Sequence, residues 1–170
     1  MNSLSTNLVF NDYNDWANIT MVDSKGKAYK TSFKNREVLP FNVPDKGFAY
    51  IHIKELVKEP FELLYNDIKK HAEKNWFGEH DIVEYSYPWN ENGEIGLKWP
   101  LKYNSGTSDF EMLEKHSKKE RTQVDLQRFA ELSKDGKMNI TGTCTVKPWV
   151  KKEADKLRFG VTFVLDKSFI

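Results

Sequence analysis

Three short segments set cations beside aromatic rings. They are Lys98-Trp99-Pro100-Leu101-Lys102-Tyr103, Tyr29-Lys30 ahead of Phe33, and Lys147-Pro148-Trp149 followed by Lys151 and Lys152. Single-stranded nucleic acid needs this combination: bases stack on exposed rings at roughly 1–3 kcal/mol each, while Lys and Arg follow the phosphates. Phe33, Trp99, Tyr103 and Trp149 are the stacking candidates, and Lys30, Lys98, Lys102, Lys147, Lys151 and Arg158 the phosphate candidates. A competing reading makes Trp99 and Trp149 core rings with lysines on the outward faces. Proline lacks the ladder N–H and belongs at an edge or bulge, where the next side chain often turns outward, so Pro148 favours an exposed Trp149. Duplex readers use a recognition helix rich in Arg and Asn, and the one strong helical pattern here carries no Arg and sets three acids against its three lysines.

Other chemistries find weaker support. One cysteine, Cys144, and four separated histidines (His52, His71, His80, His116) give no ligand pair at a zinc spacing. Glu79-His80-Asp81 sets three polar ligands in a row, but strand neighbours point to opposite faces, and the triplet reads as a solvated turn. A metal nuclease needs clustered carboxylates and a lysine; Asp81, Glu84, Glu94 and Lys98 come nearest. No phosphate-cradling glycine loop and no nucleophile elbow are present. Cys144 reads as a small buried strand residue. These absences point to a non-enzymatic protein without cofactor or metal.

The elements that must position the candidate residues are mostly strands. Ala17 to Val22, Lys27 to Phe33 and Phe48 to Ile53 alternate or carry β-branched and aromatic residues. Asp23-Ser24-Lys25-Gly26 suggests a hairpin between the first two. From Pro60 to Trp76 the apolar residues Phe61, Leu64, Tyr65, Ile68, Ala72 and Trp76 fall on one helical stripe, which Gly78 ends. Asp81 to Tyr87, Glu94 to Tyr103, Met138 to Val150 and Leu157 to Leu165 are further strands. Glu91-Asn92-Gly93 turns the first of these pairs and Lys151 to Lys156 the second. Thr107 to Glu120 reads as a short helix or a loop, and Thr122 to Leu132 as helix or strand. The fold class expected is mainly β: a barrel or strongly bent antiparallel sheet with one amphipathic helix.

Composition sets outer bounds. At 170 residues, with no repeat and no Pro/Gly/Ser linker, residues 1–170 are expected to form one domain. Eleven Phe, seven Tyr and five Trp exceed what a small core needs, so some rings should face solvent or a ligand. Met1 to Phe10 has no signal-peptide pattern, and no apolar run approaches the roughly 20 residues of a membrane span. A soluble cytoplasmic protein in a reducing compartment is expected, with no membrane partner. Net charge is +1, but its distribution is uneven. Lys25 to Lys58 carries a balance of +5, Glu59 to Leu97 one of −6, and Lys98 to Arg158 again +5.

The C-terminal segment, Ile140-Thr-Gly-Thr-Cys-Thr-Val-Lys-Pro-Trp149, a polar loop, then Phe159-Gly-Val-Thr-Phe-Val-Leu165, resembles a known hairpin. It is similar to the last hairpin of OB-fold single-stranded DNA-binding proteins from tailed phages and large DNA viruses. There a Gly-containing strand ends in Pro-Trp or Pro-Tyr, and a second strand opens with Gly-Val and closes on Leu. The resemblance covers about thirty residues. It implies an OB-like Greek-key barrel with an added helix that coats single strands during replication or recombination, with replication proteins as further partners. Several such proteins end in an acidic recruiting tail; this chain ends in Asp166-Lys167-Ser168-Phe169-Ile170, and its acidic block at Glu59 to Leu97 is the available substitute. Two other functions stay open at this level. One is a protein-interaction module or viral inhibitor whose acidic block mimics nucleic acid; the other is a small metal-dependent nuclease.

Overall fold

The computed structural model describes residues 4–11, 16–21, 25–45, 48–54, 61–77, 82–100, 111–153 and 155–170. The two longest strands are Asn139–Glu153 and Lys156–Phe169, β9 and β10 in chain order, and they pair with each other. Their sequences alternate buried and outward residues, as the strand period of two requires. The chain divides into two compact units, and both long strands contribute a stretch to each.

The first unit comprises Met1–Lys30, Lys58–Pro88 and Val146–Thr162. In it β1 (Leu4–Asn11) pairs antiparallel with β2 (Trp16–Met21), and β2 pairs antiparallel with β9 from Trp16↔Lys151 to Asn18↔Trp149. The first helix, α1 (Phe61–Asn75), buries Phe61, Leu64, Tyr65, Ile68 and Ala72, the stripe that the apolar spacing predicts. Tyr65 seats this helix: its ring lies 5.7 Å from that of Phe159 on β10, and its hydroxyl donates to the Ser86 carbonyl at 2.9 Å. Burial pushes the Tyr65 phenol well above its ordinary range. The short strand β5 (Val83–Tyr85) runs parallel to β10, with Glu84 in register with Arg158.

The second unit comprises Thr31–Val57, Trp89–Thr145 and Phe163–Ile170. Strand β3 (Lys30–Glu37) pairs with β9, and β4 (Ala49–Ile53) pairs antiparallel with β6 (Ile95–Trp99). Strand β6 meets β10 in parallel at Val164↔Lys98. Strand β7 (Glu111–Lys115) lies parallel to β10 and antiparallel to β8 (Arg121–Gln123). The second helix, α2 (Leu126–Ser133), begins at Asp125, whose carboxylate accepts from the Arg128 N–H at 2.8 Å.

The chain is therefore mainly β, with ten strands and two helices among the described residues. Several local expectations are corrected. The sheet is mixed, because β10 takes three parallel partners, and among the described residues the pairing path does not close into a ring. Among the described residues β2 and β3 are not sheet neighbours: both pair with β9, and the contact between the two expected strands is the Tyr29 N–H donating to the Met21 carbonyl at 2.9 Å. Asp23 and Ser24 of that expected turn lie outside the described residues. The turn around Gly93 exists, held by the Asn90 side chain accepting from the N–H groups of Asn92 and Glu94 at 3.0 Å each. It closes Trp89 on Ile95, while β5 pairs elsewhere. The segment read as helix or loop contains strand β7, and the ambiguous one after it holds α2.

Candidate nucleic-acid interface

On β9 the residues Val146, Pro148 and Val150 point into the core, so the pleat turns Lys147, Trp149 and Lys151 to the opposite face. On β10 the buried residues Leu157, Phe159 and Val161 leave Lys156, Arg158 and Thr162 on that same outward side. Gly160 joins the two strands' faces. A Cβ there would overlap Cζ2 and Cε2 of Trp149 and come within 2.9 Å of its Nε1, so the indole lies directly over the glycine. Trp149 is half-buried, as are Lys151 and Arg158, and Lys147 is exposed. The first unit thus brings four of the expected residues together: Lys147, Trp149, Lys151 and Arg158. Pro148 is not at a sheet edge, since β9 has β2 on one side and β10 on the other. The outward Trp149 follows from the pleat and from Gly160.

Two carboxylates thread through this face. Glu84 meets Lys156 Nζ at 2.8 Å and Arg158 Nη2 at 3.2 Å. Glu153 meets Lys151 and Arg158 at 3.6 Å each and Lys156 at 3.7 Å. Hydrogen bonds from Lys156 and then Arg158 hold the Glu84 carboxyl below the usual carboxylate range, and the same contact holds the Lys156 ammonium above its own. Against these two acids stand Lys147, Lys151, Lys156 and Arg158, so the face keeps an excess of positive charge.

The remaining candidates fall elsewhere. Lys30 is exposed at the start of β3. Phe33 and Trp99 are core residues, 4% and 5% exposed, and Trp99 meets Phe129 edge-on with ring centroids 5.4 Å apart. With their faces covered by protein, neither offers a stacking platform, which corrects the expectation for both. Lys98 is half-buried, its Nζ 3.8 Å from the centroid of the Phe48 ring. Lys102 and Tyr103 lie outside the described residues. Composition pointed to rings at the surface, but Phe48 and Tyr50, 49% and 42% exposed, were not among the candidates. The signal for Tyr50 was the alternation of β4, in which Ile51 and Ile53 claim the core.

The competing chemistries also have locations. Cys144 is buried, and loss of solvation, with Asp166 adding to it, pushes its thiol far up. Asp81 lies outside the described residues. In the first unit Glu84 is held by its two cations; in the second, Glu94 accepts from Asn90 Nδ2 at 2.8 Å. Among the described residues no group of three or more His, Cys, Asp or Glu is placed to hold a metal ion. Nor is any helix among them long and apolar enough to cross a membrane. No protein-family model, curated protein or solved structure matches this chain.

Proposed function

We propose that this chain is a non-enzymatic single-stranded DNA-binding protein that coats and protects single strands in replication or recombination. The observation that carries the reading is the outward face of the β9–β10 hairpin in the first unit. There Trp149 lies over Gly160, with Lys147, Lys151 and Arg158 on the same side. A partly exposed ring flanked by cations supplies the two contacts that a single strand needs, one for a base and one for phosphates. The OB-like Greek-key arrangement belongs to the same proposal. It is supported by the hairpin, whose two diagnostic pairs, Pro148-Trp149 and Gly160-Val161, meet where the indole covers the glycine.

The acidic-mimic reading receives less support, because acids of the middle block are engaged locally. Glu73 accepts from the Tyr85 hydroxyl at 3.1 Å, and Glu84 is shared by Lys156 and Arg158.

The test is titration of labelled oligonucleotides, single-stranded and duplex, at increasing salt. Binding should favour the single strand. The logarithm of affinity should fall with the logarithm of salt by about 0.7 for each phosphate neutralised, as counterions are released. A response flat in salt, or tighter binding to duplex, would overturn the proposal.

A further inference from the structure

The β7–β8 hairpin of the second unit carries a charge arrangement that folding does not call for. Lys115 and Arg121 stand directly opposite each other across the antiparallel pair. Like charges at such positions repel and weaken the pairing. Lys118 and Lys119 add two cations at the tip, against a single acid, Glu120. The tip has a defined shape: Ser117 Oγ accepts from the N–H groups of Lys119 at 3.3 Å and Glu120 at 3.0 Å. Strand β10 contributes to the same face. Lys167 is in register with Glu111 and Phe169 with Leu113, which by the period of two puts both on the side of Lys115 and Arg121.

The half-buried Phe169 ring collects all three cations. Lys115 Nζ lies 4.7 Å from its centroid, the Arg121 guanidinium carbon 5.2 Å and Lys167 Nζ 5.9 Å. The ring's quadrupole attracts each of them, but it cannot neutralise their charge. Among the described residues Glu111, 3.8 Å from Lys167, is the acid paired with one of the three cations.

We infer that this hairpin and the end of β10 form a second contact surface for single-stranded nucleic acid, with Lys115, Arg121 and Lys167 taking backbone phosphates beside Phe169. A phosphate seated between Lys115 and Arg121 turns their repulsion into two attractions. The half-exposed ring among the cations favours a polyanion that carries bases over one that carries charge alone. The identity of the polymer rests on the function proposed above; the anion-binding character of the surface does not.

The experiment follows backbone amide signals of the full-length ¹⁵N-labelled protein during titration with an oligothymidylate and, separately, with inorganic polyphosphate. The oligonucleotide should move the signals of Lys115 to Arg121 and Phe169. Lys115→Gln/Arg121→Gln should abolish those shifts and lower the salt slope by about 1.4, two contacts at about 0.7 each, with an otherwise unchanged spectrum reporting an intact fold. Movement here with Lys147 to Arg158 still would sustain this surface and sink the β9–β10 interface. The reverse pattern would sink this surface alone. Signals that follow polyphosphate but ignore the oligonucleotide would overturn the assignment to nucleic acid.

Discussion

Trp149 and Trp99 are the same residue type and both lie on strands, yet their surroundings differ, and substitution should separate them. Trp149→Ala should weaken single-strand binding by roughly 1–3 kcal/mol, with a small change in the thermal melt. Trp99→Ala removes a core ring packed on Phe129 and should cost roughly 3–5 kcal/mol of stability, read from denaturant unfolding. Gly160→Ala tests the platform from below: the new methyl needs the space of the indole, so oligonucleotide affinity should drop toward that of Trp149→Ala. Glu84 supplies a prediction of the opposite sign. Its carboxylate competes with phosphate for Lys156 and Arg158, so Glu84→Gln should tighten binding several-fold and steepen the salt dependence. The pH dependence has the same origin. The Glu84 carboxyl is lowered in the fold, so its ion pairs add stability above the ordinary carboxylate range and lose it as pH falls through the lowered value. Within that window the freed cations should hold an oligonucleotide more tightly while the melt temperature falls, two opposed trends that titrations and melts at matched pH would register.

Helix α1 was legible because its signal is local: six apolar residues on one stripe define both the helix and its buried face. The β9–β10 hairpin was legible for the same reason, two alternating runs around a short polar turn. Strand β1 was not, and a register shift between Leu4 and Leu8 explains it, since a bulge breaks the alternation that marks a strand. The parallel partners of β10 were also hidden. Each joins segments far apart in the chain, and no turn residue announces such a pairing. At the interface, the outward Trp149 and its neighbouring cations could be read from period two. The burial of Trp99 was written in the same period, because Ile95, Leu97 and Trp99 share one face of β6; that of Phe33 was not, because no other apolar residue of β3 marks its core face. Segment 122–132 was ambiguous because it holds two elements, and Asp125 is the switch between them. Asp125→Ala should unseat α2 by about 1 kcal/mol, measured as a lower denaturant midpoint with an unchanged slope.

Over the whole chain a net charge of +1 means that attraction to nucleic acid must come from local faces. At physiological salt, charges more than about 8 Å apart are largely screened, so an acid offsets such a face chiefly where it lies within it, as Glu84 and Glu153 do. The central position of β10 has a further consequence. On one side it pairs with β9, and on the other it meets β5 at Leu157–Phe159, β6 at Val164 and β7 at Lys167–Phe169. Strand β1, by contrast, has β2 as its only partner among the described residues. Successive amides of β10 donate to opposite sides, so freeing the whole strand requires the ladders on both sides to release, whereas β1 needs one ladder to open. In deuterated buffer β1 should therefore take up label first and β10 last, making the final strand of the chain the slowest clock in the molecule.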